Sequence, residues 1–152
     1  MNATAQLSIC IIEDDAHFRE TLTDAMSLWD VEVRGSATAA DGLETLRLFR
    51  PSVIVVDVRL PDMNGLELCR RIRRNPRLLG VPVILISGSA RYNDPRDRVE
   101  GLLAGAAAFL PKPISIEELW AEMLEVVKIP EADARRRVPG ASDGWRRELG
   151  PL

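Results

Sequence analysis

Four short apolar runs, ICII (9–12), VIVV (53–56), VILI (83–86) and AAFL (107–110), punctuate a chain of 152 residues. A strand with one wet face alternates apolar and polar residues. These runs do not alternate, which is the pattern of strands covered on both faces, and hence of a parallel sheet sandwiched between helices. A fifth stretch, VEVRG from Val31, does alternate and suits an edge strand. Between the runs, apolar residues recur at helical spacing. Phe18, Leu22, Ala25, Met26 and Trp29 share one face, as do Leu43 and Leu46, Leu66, Cys69 and Ile72, then Val99, Leu102 and Leu103, and finally Ile116, Leu119, Trp120, Met123 and Val127. Strand and helix therefore alternate five times, which predicts a doubly wound α/β architecture with right-handed crossovers. The strand order 2-1-3-4-5 places the alternating second strand at the edge.

The length suits one domain with a substantial core. After Val127 the composition changes. KIPEADARRRVPGASDGWRRELGPL has three prolines, three glycines and no sustained apolar period. The expected division is a domain over 1–128 and a flexible tail over 129–152. The basic pieces ARRR and WRR are interrupted by acids and fit a solvated tail better than a nucleic-acid contact. With 20 basic and 23 acidic residues the net charge is −3, which favours neither direct DNA binding nor an anionic membrane. No apolar run approaches the roughly 18 residues of a membrane span. MNATAQLSIC lacks the features of a signal peptide, so a cytoplasmic location is expected. Cys10 and Cys69, with a single histidine in the chain, make no zinc site and are expected to be buried, reduced thiols.

Open α/β sheets bind ligands at the carboxyl ends of their strands. Glu13, Asp14 and Asp15 follow the first run, Asp57 follows VIVV, Ser87 follows VILI, and Lys112 stands just beyond AAFL. Crowded carboxylates repel by roughly 1–4 kcal/mol per close pair at a partly wet dielectric. A divalent cation removes that conflict. With hard oxygen donors and no imidazole or thiolate, Mg²⁺ is the natural guest, mostly hydrated and suited to phosphate. A lysine and a hydroxyl suit phosphoryl oxygens, and Asp57 becomes a candidate nucleophile in phosphoryl transfer.

The ordered set IIEDD, VIVVDVRLPDMNG, VPVILISG and GAAAFLPKP, over about residues 7 to 128, resembles the receiver domain of two-component response regulators. The resemblance implies a flavodoxin-like three-layer sandwich around a five-stranded parallel sheet. It implies a stand-alone switch, similar to the chemotaxis regulators, in which Asp57 accepts a phosphoryl group. Glu13, Asp14, Asp57 and the backbone carbonyl of Arg59 would hold Mg²⁺. Lys112 and Ser87 would serve the phosphoryl group, with Ser87 and the aromatic Phe109 as the switch pair. The Lys112–Pro113 bond would be cis. The implied partners are a sensor histidine kinase or histidine phosphotransfer protein and a downstream protein met by the fourth helix, fifth strand and fifth helix, with a homodimer also open. The implied chemistry is self-phosphorylation and autodephosphorylation, not enzymatic turnover of other substrates.

Three local features depart from that pattern. ARYNDPR lengthens the loop before the fourth helix, Gly88 stands where alanine is usual, and Arg59 is a large cation two residues past the acceptor. Asp15 suits the N-cap of the first helix, His17 a solvated helical position, and Trp29 and Trp120 the packing. An alternative is a receiver-like interaction module that takes no phosphate. A phosphatase of the haloacid-dehalogenase type would need DxDx[TV] where Arg59 interrupts it, and no G-x-G-x-x-G follows ICII for a dinucleotide fold.

Overall fold

The computed structural model describes residues 7–88 and 95–127. The tail over 129–152 and most of the ARYNDPR insertion lie outside the described residues. Five strands, β1 (Ser8–Ile12), β2 (Glu32–Ser36), β3 (Val53–Asp57), β4 (Val83–Ser87) and β5 (Ala108–Pro111), form one sheet in the order β2-β1-β3-β4-β5. Every pairing is parallel. The helices are α1 (Ala16–Ser27), α2 (Ala39–Leu48), α3 (Gly65–Arg74), α4 (Pro95–Leu103) and α5 (Ile116–Val127), with a 3₁₀ turn at Pro76–Leu78.

The continuous apolar runs are buried as their pattern requires. Every residue of β1, β3 and β4 is buried. Strand β2 is an edge, with only Ser36 buried. Strand β5 is the other edge. Its apolar run predicts cover on both faces, yet only Phe109 is buried, because no strand of the described residues pairs beyond it. The two faces of the sheet carry separate cores. Ile12, Leu46, Ile54, Leu68, Cys69, Ile72, Leu85 and Phe109 join on the α2–α3–α4 side, while Ile9, Ile11, Leu22, Met26, Val55, Ile86, Leu119 and Met123 join on the α1–α5 side. Trp29 and Trp120 close the second core, ring centroids 5.0 Å apart and tilted by 56°. Both cysteines are free and buried.

Local chemistry starts the helices where the sequence marks them. Asp15 caps α1 by accepting from the His17 and Phe18 amides, Thr38 caps α2, and Asn64 caps α3. Each satisfies amides that the first helical turn leaves unpaired. His17 itself is exposed.

The expectation for α4 needs correction. Its apolar residues Val99, Leu102 and Leu103 do not pack inward and are 54%, 52% and 81% exposed. The residue that α4 buries is Gly101. A methyl group there would meet the Phe109 ring at 2.8 Å and Leu85 at 3.1 Å. The helix approaches the sheet through its smallest residue, which a search for large apolar side chains passes over.

Candidate functional site

The parallel sheet delivers its strand ends to one edge. Glu13 continues the β1–β2 ladder, its amide donating to the Ser36 carbonyl at 2.9 Å, and its side chain is 0% exposed. Asp57 is the last residue of β3 and is also buried. Lys112 follows β5, its amide bound to the Ser87 carbonyl at 2.7 Å, which ties it to the end of β4. Its ammonium donates to Glu13 Oε1 and to Asp57 Oδ2, the latter at 3.1 Å. The same ammonium stands 4.9 Å from the centre of the Phe18 ring, a cation–π contact.

Three carboxylates, Glu13, Asp14 and Asp57, offer oxygens that all lie within 4.8 Å of one another. Burial pushes Glu13 up to about 8, helped by its hydrogen bond to Asp57 and the charge of that carboxylate, while Lys112 pulls it down. Burial works to lower Lys112 as well, but its bonds to Glu13 and Asp57 and their charges outweigh this and hold it above its ordinary value. When all three carboxylates are ionised, one lysine neutralises one of their three charges and leaves −2. That deficit, with hard oxygen donors only, fits a divalent cation.

Supporting contacts fix this geometry. The Arg59 amide donates to Asp57 Oδ1 at 2.8 Å, orienting the carboxylate. Arg59 also forms a bridge to Asn64 across the loop, and its side chain is exposed. Gly65, the first residue of α3, packs its backbone on Asp57 and Val58, and a Cβ there would collide with the Asp57 carbonyl. The glycine of PDMNG is thus a close-approach requirement. Ser87 is buried beside the cluster at the end of β4. A methyl on Gly88 would touch Lys112 at 3.4 Å, an ordinary contact. The Lys112–Pro113 bond is cis. Phe109 lies behind the site in the α2–α3–α4 core, against Gly101.

Three participants escape a reading of the sequence alone. Arg19 of α1 reaches back to the Glu13 carbonyl at 2.7 Å. Phe18, expected only as core, roofs Lys112. Asp62, in the loop after β3, accepts from the amides of Ala39 and Ala40 at 2.9 and 3.0 Å, clamping the loop to the start of α2. These amide bonds hold the Asp62 carboxyl below its ordinary value. Thr38 already announces the α2 cap, and no local signal reveals a second acceptor 22 residues away.

Comparison with known proteins agrees with this arrangement. The model of the response regulator receiver domain matches residues 9–124. The transcriptional regulatory protein AfsQ1 of Streptomyces coelicolor is 38% identical over 127 residues, covering 84% of this chain and 54% of that protein. GltR of Pseudomonas aeruginosa is 37% identical over 121 residues, covering 80% and 49%. This chain thus spans about half the length of the curated relatives it matches. A CheY-like receiver domain protein from Methanospirillum hungatei superposes with a TM-score of 0.74 at 27% identity, over 82% of this chain and 95% of its own. The BeF3-activated DrrB receiver domain does so with a TM-score of 0.71 at 26% identity, over 82% and 100%. With the acidic recess at its strand ends, the chain belongs to the receiver-domain family of two-component response regulators.

Proposed function

We propose that the recess is a phosphoacceptor site and that its occupancy switches the surface around α4, β5 and α5. One observation carries the reading. A half-buried lysine is shared by two buried carboxylates at the ends of β1 and β3, with a third carboxylate alongside. An oxygen of Asp57 attacks the phosphorus of a phosphohistidine on a sensor kinase or phosphotransfer protein. The O–P bond forms as the P–N bond breaks, and the departing imidazole nitrogen takes up a proton. Lys112 stands ready to hold a phosphoryl oxygen, and the Ser87 hydroxyl to donate to another by rotation. Glu13, Asp14, Asp57 and the Arg59 carbonyl are the groups that would hold Mg²⁺, which when bound offsets the charge gathered on the phosphoryl oxygens.

The new charge draws Ser87 and Lys112 toward it. Phe109, on the strand that Lys112 follows, transmits the change to α4, a two-state shift of population. The exposed Val99, Leu102 and Leu103 give that surface apolar contacts for a protein target or a second copy. No helix of the described residues is long and apolar enough to cross a membrane, and the reading places the chain in the cytoplasm. It involves no direct DNA contact and no turnover of a separate substrate.

Acetyl phosphate with Mg²⁺ tests the proposal. Intact mass spectrometry is expected to show one added phosphoryl group, and none on Asp57→Asn. A variant that still gains the group would overturn the assignment of the acceptor.

A further inference from the structure

The edge of the sheet opposite the recess carries a different concentration of charge. Residues 68–82, LCRRIRRNPRLLGVP, hold five arginines and no acid, and 45–52, TLRLFRPS, hold two arginines and no acid, in a chain of net charge −3. The fold brings the two segments together. Arg50, just past α2, donates to the carbonyls of Arg77 at 3.2 Å and Leu79 at 2.8 Å. Arg73 reaches the same turn from α3, donating to the carbonyls of Leu78 at 3.4 Å and of Val81. Two guanidiniums thus brace the turn from beneath.

The remaining arginines are arranged differently. Arg71, Arg74 and Arg77 are exposed, and among the described residues their side chains make no ion pair or hydrogen bond. Arg71 and Arg74 are three apart on α3 and neighbours on its surface. At the margin the arginines are paired, Arg47 with Glu44 at 3.3 Å and Arg70 with Glu67 at 3.9 Å. Two leucines accompany the unpaired three. Leu48 ends α2 and is 79% exposed, and Leu79, on the braced turn, is 74% exposed. A helix dipole rewards cations in the last turn of α3. It does not account for Arg77 outside the helix, nor for the leucines.

We propose that this pole is a docking surface for an acidic protein segment that presents leucine-like anchors between its carboxylates. Guanidinium forks match carboxylates in paired geometry, the leucines supply apolar contact, and the braced turn holds both ready. A nucleic-acid backbone would leave the leucines without partners. An extended anionic surface such as a bilayer would also meet the bordering Glu44 and Glu67, which a narrow peptide avoids. The chain's own tail is a poor occupant, since 129–152 hold five arginines against four acids. The proposal does not depend on phosphorylation of Asp57.

Fluorescence anisotropy of the full chain tests it with four probes. They are a labelled peptide repeating Glu-Leu-Glu-Glu, the same peptide with serine for leucine, a random-sequence DNA duplex, and phosphatidylserine vesicles. The leucine peptide is expected to bind and to weaken with salt. The serine peptide is expected to bind several-fold more weakly. Arg71→Ser, Arg74→Ser and Arg77→Ser combined are expected to lower affinity by about tenfold or more. Retained phosphoryl uptake and an unchanged thermal melt show that this variant is folded, and Arg71→Glu with Arg74→Glu gives a second test if it is not. Equal binding of the two peptides, duplex or vesicle binding as tight as the leucine peptide, undiminished binding by the folded variants, or no peptide binding would each overturn the proposal. So would a concentration-dependent increase in mass blocked by the arginine variants, which would assign the pole to a second copy of the chain.

Discussion

At the carboxyl ends of the strands, charge is collected from distant parts of the chain and buried. At the opposite edge it is collected from near neighbours and left in water. Glu13, Asp57 and Lys112 are separated by 44 and 55 residues and meet only when β1, β3 and β5 are aligned. Arg71, Arg74 and Arg77 lie within one helical turn and the turn that follows it. Burial makes the first group interdependent, because each charge is tolerable only while its partner is present. Exposure makes the second nearly independent, because water screens each guanidinium from the others. The difference separates two kinds of site: one whose buried charges need a partner for the fold to hold, and one whose charge is available without structural cost.

The largest test of this contrast removes the shared ammonium. Lys112→Ala leaves Glu13 and Asp57 buried without their counter-charge and is expected to cost about 2–3 kcal/mol at pH 8. Urea denaturation with and without Mg²⁺ checks it. Added Mg²⁺ is expected to restore part of the loss, and an unchanged midpoint would show the cluster to be less interdependent than its geometry implies.

At the other edge the strongest effect is expected from a buttress. Arg50→Ala removes both donors to the Arg77 and Leu79 carbonyls and should cost about 1 kcal/mol, read from the thermal midpoint. A loss as large as that of Lys112→Ala would erase the distinction between the edges.

Asp62 sharpens the comparison through pH. Its carboxyl is held below the ordinary 3.8 by the Ala39 and Ala40 amides, so the stability it adds is present above that value and is lost as pH falls through the folded one. Asp62→Asn is expected to be less stable than the parent at pH 6, and the gap is expected to close below pH 3.8. Acid unfolding followed by circular dichroism measures it, and a gap constant with pH would rule out the carboxylate cap. The smallest effect belongs to the exposed arginines. Arg71→Ser alone should change stability by less than about 0.5 kcal/mol, measured by the same urea titration.

What the sequence discloses follows the same division. The sheet order was legible because uninterrupted apolar runs have few other uses, and VEVRG betrayed its edge by alternating. The acidic recess was legible because strand ends are fixed by the topology once the strands are found. Long-range capping was not legible. Asp62 looks like an ordinary loop acid, and its partners at Ala39 and Ala40 are backbone groups with no side-chain signature. The arginine pole could be counted in the sequence, but Arg50 and Arg77 are joined only by the turn after α3. In α4 the pattern misled, because Val99, Leu102 and Leu103 satisfy the helical period while the contact with the sheet is made by Gly101.

That glycine gives the molecule a tolerance narrower than its surroundings. The Phe109 ring sits where a hydrogen atom at position 101 permits it and a methyl group would not. Seating of the aromatic is therefore gauged by a single substituent on the neighbouring helix. Gly101→Ala would act as a shim, forcing either the ring outward or α4 away from β5, and so would decouple the outer helix from the strand without touching a charge.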